Sequence, residues 1–267
     1  MADRSVILVG CGRLGSSLVE GWLKTGGLDP HDLMIVTPSP KPASEAARAA
    51  GAVVNPDAAA LARADRVVLA VKPAMWRAVA ADLAPKLAPD ALVVSMMAGV
   101  RADDLAQGFA PRPAARVMPT TSMAAGEGVA SIWAAALSDE ARVRALFEPV
   151  ARVAVLPDEG LMDAATAVSG SGQAYFFAFV EALTRAGIEQ GLSPDQAETL
   201  ARGTLISAAA AMREDAAPAT DLIGRVASPG GTTQAALEVL GRDDALERLV
   251  SEAAAAAVKR AAELSRA

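Results

Sequence analysis

Two residue types that many enzymes depend on are nearly missing. Among 267 residues there is one cysteine, Cys11, and one histidine, His31. A disulfide framework, a metal site built on Cys and His, and a Ser–His or Cys–His catalytic pair are therefore excluded. No run of Lys or Arg occurs and the formal charge is -6. The electrostatic footprint of a nucleic-acid binder or a membrane-surface protein is lacking, and a small anionic ligand has to be held locally. No stretch approaches the roughly 18 uninterrupted apolar residues of a membrane span. The start, Met1-Ala-Asp-Arg and a short apolar run, lacks the basic region and long apolar segment of a signal peptide. A cytoplasmic protein is expected. Just over half of the residues are apolar, so the chain can bury a core and disorder is not expected.

What is present changes character partway along. Short β-branched runs at residues 6–9, 34–37, 66–71, 92–95 and 116–118 alternate with Ala-rich stretches of helical period. That alternation predicts a doubly wound parallel sheet of the Rossmann type, with further strands at 128–133 and 153–156 on its edge. Beyond Pro157 the pattern is helical: 174–190, 195–213, 221–226, 232–240 and 243–266, with a Gly-Leu-Ser-Pro break at 191–194. The predicted architecture is α/β, an N-terminal Rossmann domain over 1–157 followed by an all-α dimerisation and substrate-binding domain over 158–267. Helices such as 201–212 are apolar on most of their circumference. A surface of that kind is buried against other helices or another subunit, so a homodimer at least is expected.

The first strand runs directly into Gly10-Cys11-Gly12-Arg13-Leu14-Gly15, which opens a helical pattern. In that context GxGxxG is a dinucleotide fingerprint. The first glycine permits a tight turn, the second lets backbone approach a pyrophosphate, the third lets helix pack on strand, and the helix N-terminus offers free N–H groups around Arg13 and Leu14. A site specific for NAD places an acidic residue at the end of the second strand. Here the chain reads Thr37-Pro38-Ser39-Pro40-Lys41, whose hydroxyls and cation suit a 2′-phosphate, so NADPH is expected over NADH. Asp29 and Asp32 precede the strand and belong to the other end of the sheet. Val71-Lys72-Pro73 and the Ala98-Gly99 loop fall at the carboxyl ends of later strands, where a doubly wound sheet places ligand-contacting loops. Lys72 has two readings, a role at the ligand or a stem that packs while its charge stays wet.

Two glycine-rich segments interrupt the helical half: Ser169-Gly170-Ser171-Gly172-Gln173-Ala174-Tyr175 and Val226-Ala227-Ser228-Pro229-Gly230-Gly231-Thr232-Thr233. Gly in a helical region costs about 1 kcal/mol relative to Ala, so clusters mark sharp turns or close approach to a ligand. The second segment leads into a helix whose first N–H groups and hydroxyls form an anion-receiving end. Spacing alone leaves a capped loop between helices equally open.

Along essentially its whole length this pattern resembles the pyrroline-5-carboxylate reductases. The matching residues are Gly10 to Gly15, Ala70-Val71-Lys72-Pro73, Ser95 with Ala98-Gly99, Arg116-Val117-Met118-Pro119, Ser169 to Gly172 with Ala174-Tyr175, and above all Leu222-x-x-x-Val226-Ala227-Ser228-Pro229-Gly230-Gly231-x-Thr233. The resemblance implies reduction of a small cyclic imino acid by hydride from NADPH, at a site shared between subunits. It implies that Ser228, Gly231, Thr232 and Thr233, with Gly230 in the turn, receive the substrate carboxylate and ring nitrogen, Thr233 being the candidate catalytic residue. Family members usually read Met-Pro-Asn-Thr-Pro where this chain has Met118-Pro119-Thr120-Thr121-Ser122, and Pro where it has Gln173; Gly241 stands where an acidic or amide residue usually closes the signature. The alternatives are a reductase of a related imine, a β-hydroxyacid dehydrogenase, or a non-catalytic dinucleotide sensor. The hydroxyacid enzymes generally carry a lysine on the first long helix after the Rossmann domain, and residues 174–190 contain none.

Overall fold

The structure is a computed structural model that describes residues 5–265. In chain order the first half runs β1 (Val6–Val9), α1 (Arg13–Thr25), β2 (Leu33–Val36), α2 (Pro42–Ala49), β3 (Val53–Val54), α3 (Ala58–Leu61), β4 (Arg66–Leu69), α4 (Trp76–Leu83), β5 (Leu92–Ser95) and α5 (Ala102–Gly108). Then come β6 (Ala114–Pro119), β7 (Gly128–Ala134), α6 (Leu137–Phe147), β8 (Ala151–Val155) and the short α7 (Met162–Ala165). The eight strands form one sheet in the order β3-β2-β1-β4-β5-β6-β7-β8. Every neighbouring pair is parallel except β6 and β7, which run antiparallel. The sequence did not predict that reversal, nor the two-residue β3.

Both faces of the sheet are buried, which is why its strands read as continuous β-branched runs rather than as alternating patterns. Successive residues of β1 point opposite ways: Val6 and Leu8 join Leu18 and Trp22 of α1 and Leu146 and Phe147 of α6 on one side. Ile7 and Val9 join Trp76 and Leu83 of α4 and Leu105 of α5 on the other. Full burial of each such side chain stabilises by about 1.5–3 kcal/mol. Trp22 is also pinned by its indole N–H, which donates to the Leu146 carbonyl at 2.8 Å.

The chain falls into two compact units, residues 5–170 together with the segment from Ala257, and Ser171–Ala256. This division lies beyond residue 157 because the segment after β8 packs onto the sheet, burying Glu159, Met162 and Ala167. The second unit contains α8 (Gly172–Glu189), α9 (Pro194–Glu214), α10 (Ala219–Val226), α11 (Thr232–Leu240) and most of α12 (Ala245–Ser265). The break between α8 and α9 is built as its residues suggest. Gly191 takes a left-handed φ of 98°, and Ser193 and Gln196 exchange hydrogen bonds in a capping box. Phe176, Phe177 and Phe179 of α8 and Leu200, Ile206 and Met212 of α9 remain exposed, Phe177 by 66% and Ile206 by 64%. A groove along these two helices is lined by Phe177, Val180, Leu205 and Ile206 together with Glu181, Thr184, Glu198 and Arg202.

Candidate active site

Four loops line up along the carboxyl edge of the sheet, joined by main-chain hydrogen bonds. Gly10 N–H donates to the Val36 carbonyl, Ala70 N–H to Val9, and Met96 N–H to Leu69, at 2.8, 2.8 and 3.0 Å. The glycine turn, the 37–41 turn, the 70–73 loop and the 96–101 loop are thereby brought together, and with them every predicted cofactor residue.

Each glycine of the fingerprint has its own physical reason. Gly10 has φ +93°, and a Cβ there would stand 2.7 Å from the Ala70 carbonyl oxygen. A Cβ on Gly15 would stand 2.1 Å from the Gly10 carbonyl oxygen, so this residue sets how closely α1 seats on the turn. Gly12, the N-cap of α1, is exposed and has nothing within 4 Å of where its Cβ would be. The first intrahelical bond runs from Ser16 N–H to the Gly12 carbonyl at 2.8 Å. The N–H groups of Arg13, Leu14 and Gly15 therefore have no intrahelical acceptor. An open approach over Gly12 towards free N–H groups fits a pyrophosphate. Cys11, between the two glycines, is only 2% exposed, with its sulfur 3.5 Å from Ser16 Oγ.

At the second turn the three predicted residues separate. Thr37 lies past the strand, because its N–H donates to the Asn55 side chain at 3.0 Å instead of to the ladder. Its buried hydroxyl donates to the Ser39 carbonyl at 3.0 Å. Thr37 thus shapes the turn, while Ser39 and Lys41 are exposed beside it. Asn55, in a left-handed conformation with φ 54°, is a residue that sequence reasoning missed; its only signal is an Asn-Pro pair. Asp29 lies before β2, where its carboxylate accepts from His31 N–H at 2.9 Å and is held below the usual carboxylate range by that bond. Of the remaining predicted residues, Val71, Ala98 and Gly99 are half-buried and Lys72 and Pro73 exposed; Gly99 has φ +77°.

The second unit carries the other cluster. Gly231 is the N-cap of α11, and a Cβ there would be 2.7 Å from Ser228 Oγ. The N–H of Gly231 donates to the Ser228 carbonyl at 3.0 Å, and that of Gly230 to Gln234 Oε1 at 2.8 Å. The two glycines contribute turn geometry, with Gly230 at φ +70°, and not free donors. Since Ala235 N–H is the first to bond back to Gly231, the donors left at this helix end are those of Thr232, Thr233 and Gln234. Thr233 is half-buried; Ser228 and Thr232 are exposed.

The departures from the family pattern are locally accommodated. Thr120 is buried and its hydroxyl accepts from Val129 N–H at 3.0 Å, extending the β6–β7 pairing by one residue. Gln173 occupies the first turn of α8, where a proline is also tolerated. Gly241 closes α11, its N–H donating to the Leu237 carbonyl at 2.8 Å.

Residues 5–99 match the family described as NADP oxidoreductase, coenzyme F420-dependent. Fold, glycine turn and match together define an NAD(P)-dependent oxidoreductase with a Rossmann-type domain. Residues 159–264 match the family described as pyrroline-5-carboxylate reductase dimerisation. Pyrroline-5-carboxylate reductase of Pseudomonas aeruginosa is 37% identical, covering 99% of this chain and 98% of that protein. The Arabidopsis thaliana enzyme of the same name is 31% identical over 96% and 94%. The chain belongs to the pyrroline-5-carboxylate reductase family, enzymes that act on a carbon–nitrogen double bond. A solved pyrroline-5-carboxylate reductase from Coxiella burnetii superposes with TM-score 0.90 at 29% identity, covering 98% of this chain and 99% of that one. A Plasmodium falciparum pyrroline carboxylate reductase with NADP bound superposes with TM-score 0.80 at 25% identity, covering 99% of both. A 3-hydroxyisobutyrate dehydrogenase of Mycobacterium tuberculosis, 19% identical with TM-score 0.50 over 71% of this chain and 67% of that one, shares the fold alone. The dimerisation match coincides with the exposed apolar helices, and the chain is a homo-oligomer. Among the described residues, no helix is long and apolar enough to cross a membrane.

Proposed function

We propose that this chain reduces 1-pyrroline-5-carboxylate to proline with NADPH, the last step of proline biosynthesis. The observation that carries the reading is full-length family likeness at 37% identity combined with both ligand-facing clusters in this one chain. Bound NADPH supplies the hydride. The chain's own part is positional. Gly12 leaves backbone access for the pyrophosphate, and the N–H groups of Arg13 and Leu14 face it. Ser39 and Lys41 stand at the 2′-phosphate, the role read from the sequence for Thr37 passing to them. Val71, Lys72, Pro73, Ala98 and Gly99 line the nicotinamide half. At α11 the N–H groups of Thr232 and Thr233 receive the substrate carboxylate beside Ser228, and the Thr233 hydroxyl stands at the ring nitrogen. A protonated imine already attracts hydride, so holding the partners in register suffices without a catalytic His or Cys.

The assembly is a dimer or a higher oligomer built from dimers, and each active site draws on two subunits, as the family likeness implies. The single cysteine suits the reducing cytoplasm.

The test is NADPH oxidation across a panel of five- and six-membered cyclic imino acids. Turnover greatest with pyrroline-5-carboxylate is the expected outcome; a preference for another imine, or binding without turnover, would replace this reading with a different reductase or a sensor. In the same assay kcat/KM should favour NADPH over NADH. Lys41→Ala should reduce that preference by about tenfold, the factor equivalent to about 1.4 kcal/mol. A preference indifferent to the substitution would remove the turn from the cofactor site.

A further inference from the structure

The last residue of β5, Ser95, stands opposite Arg116 of β6 in the parallel ladder. The loop leaving β5 at this level carries Ala98 and Gly99 and ends at Arg101, the N-cap of α5. The cap is not a local side chain. It is the carboxylate of Glu159, 57 residues further along, whose Oε1 accepts from Ala102 N–H at 2.8 Å. The same oxygen accepts from Arg116 Nη1 at 3.0 Å, and Oε2 lies 3.6 Å from Arg101 Nη2. Glu159 is 8% exposed and Arg116 5%. The turn that presents Glu159 is itself fixed, because Asp158 accepts from Gly160 N–H at 2.6 Å.

Burying a carboxylate and a guanidinium is unfavourable unless the pair is well bonded, and an exposed Ser or Asp at the N-cap would close α5 far more simply. What the buried arrangement adds is connection. One carboxylate joins the end of the 96–101 loop, the β6 strand beside it, and the segment that continues into Ser169-Gly170-Ser171-Gly172.

We propose that Glu159 is a positioning residue for the nicotinamide half of the cofactor, fixing the backbone of Ala98 and Gly99 over the end of β5 by holding Ala102. This rests on the reading that places the dinucleotide along this edge of the sheet. Glu159→Asp keeps the charge but withdraws by one methylene the oxygen that Ala102 and Arg116 share; Glu159→Gln keeps the reach and loses the charge. Binding of NADPH and of adenosine 2′,5′-bisphosphate, which lacks the nicotinamide half, is measured by calorimetry for both variants. Losing an outer partner that orients the groups binding a ligand costs on the order of 10- to 100-fold in affinity, as at metal sites. NADPH should therefore bind about 10-fold more weakly to Glu159→Asp and within about threefold of the parent to Glu159→Gln. The bisphosphate should bind both variants as it binds the parent. A Glu159→Asp variant that binds NADPH normally, or loses both ligands to the same degree, overturns the proposal. A parent protein that binds neither ligand overturns the cofactor reading beneath it.

Discussion

Thr233 occupies the second position of α11, and Gly231 occupies the cap. Removing the Thr233 hydroxyl therefore removes no cap, and on the proposed reading the loss falls on the substrate. A hydrogen bond to a charged group contributes about 1.5–3 kcal/mol, so Thr233→Ala should lower kcat/KM for the imine by about 10- to 150-fold. NADPH affinity and Tm should stay close to the parent values. Steady-state kinetics alongside thermal melts read both quantities on one preparation. A variant that melts early yet turns over at the parental rate would make Thr233 a structural residue and detach α11 from the substrate. Single residues were unevenly legible. Ser39 and Lys41 read as standing free at the end of an element, and the structure leaves both exposed there, whereas Thr233 is half-buried. Thr37 looked identical on paper, and only its bond to the Ser39 carbonyl turns it inward.

The fingerprint glycines separate packing from ligand access within one element, the β1–α1 unit. A methyl on Gly15 would meet the Gly10 carbonyl oxygen at 2.1 Å, backbone against backbone, with no flexible side chain to yield. Gly15→Ala should destabilise by the roughly 1–3 kcal/mol typical of overpacking, seen as a lower Tm before any ligand is added. Gly12→Ala meets nothing within 4 Å and should lose at most the ~1 kcal/mol by which Ala is a poorer N-cap than Gly, while on the proposed reading its NADPH Kd rises by about tenfold or more, the methyl standing where the pyrophosphate would approach. Melts and calorimetry that fail to separate the two variants would dissolve the assignment. The β1, β4 and β5 strands and the long helices were legible because each is a run of one period bounded by breakers. The two-residue β3 is too short to show a period. The antiparallel β6–β7 turn contains no Asn-Gly or Asp-Gly signal. The sequence assigns no element to the wound turns between Met162 and Gly170; in the structure Thr166 and Ser169 donate their hydroxyls to the carbonyls of Met162 and Ala165. Glu159 could not be found from spacing, because its partners lie 43 and 57 residues away.

For the whole molecule, the deciding quantity is the apolar surface left on the helical unit. Phe177 and Ile206 are each exposed by more than three-fifths and lie along one groove. Replacing its apolar positions with carboxylates, Phe177→Glu and Ile206→Glu, beside Glu181 and Glu198 should split the oligomer, because an unpaired buried carboxylate costs several kcal/mol at an interface. Light scattering should show monomers, and imine turnover should fall with them. A parent chain that is monomeric and fully active at micromolar concentration would end both the oligomer and the shared site. One further consequence follows from Cys11, the chain's single thiol, shut away inside the glycine turn. No reagent can reach its sulfur until that turn opens, so the rate at which a thiol label accumulates is a clock for opening events at the one place where the dinucleotide should clamp. The native sequence thus reports its own breathing without any engineered probe, and NADPH should slow the clock.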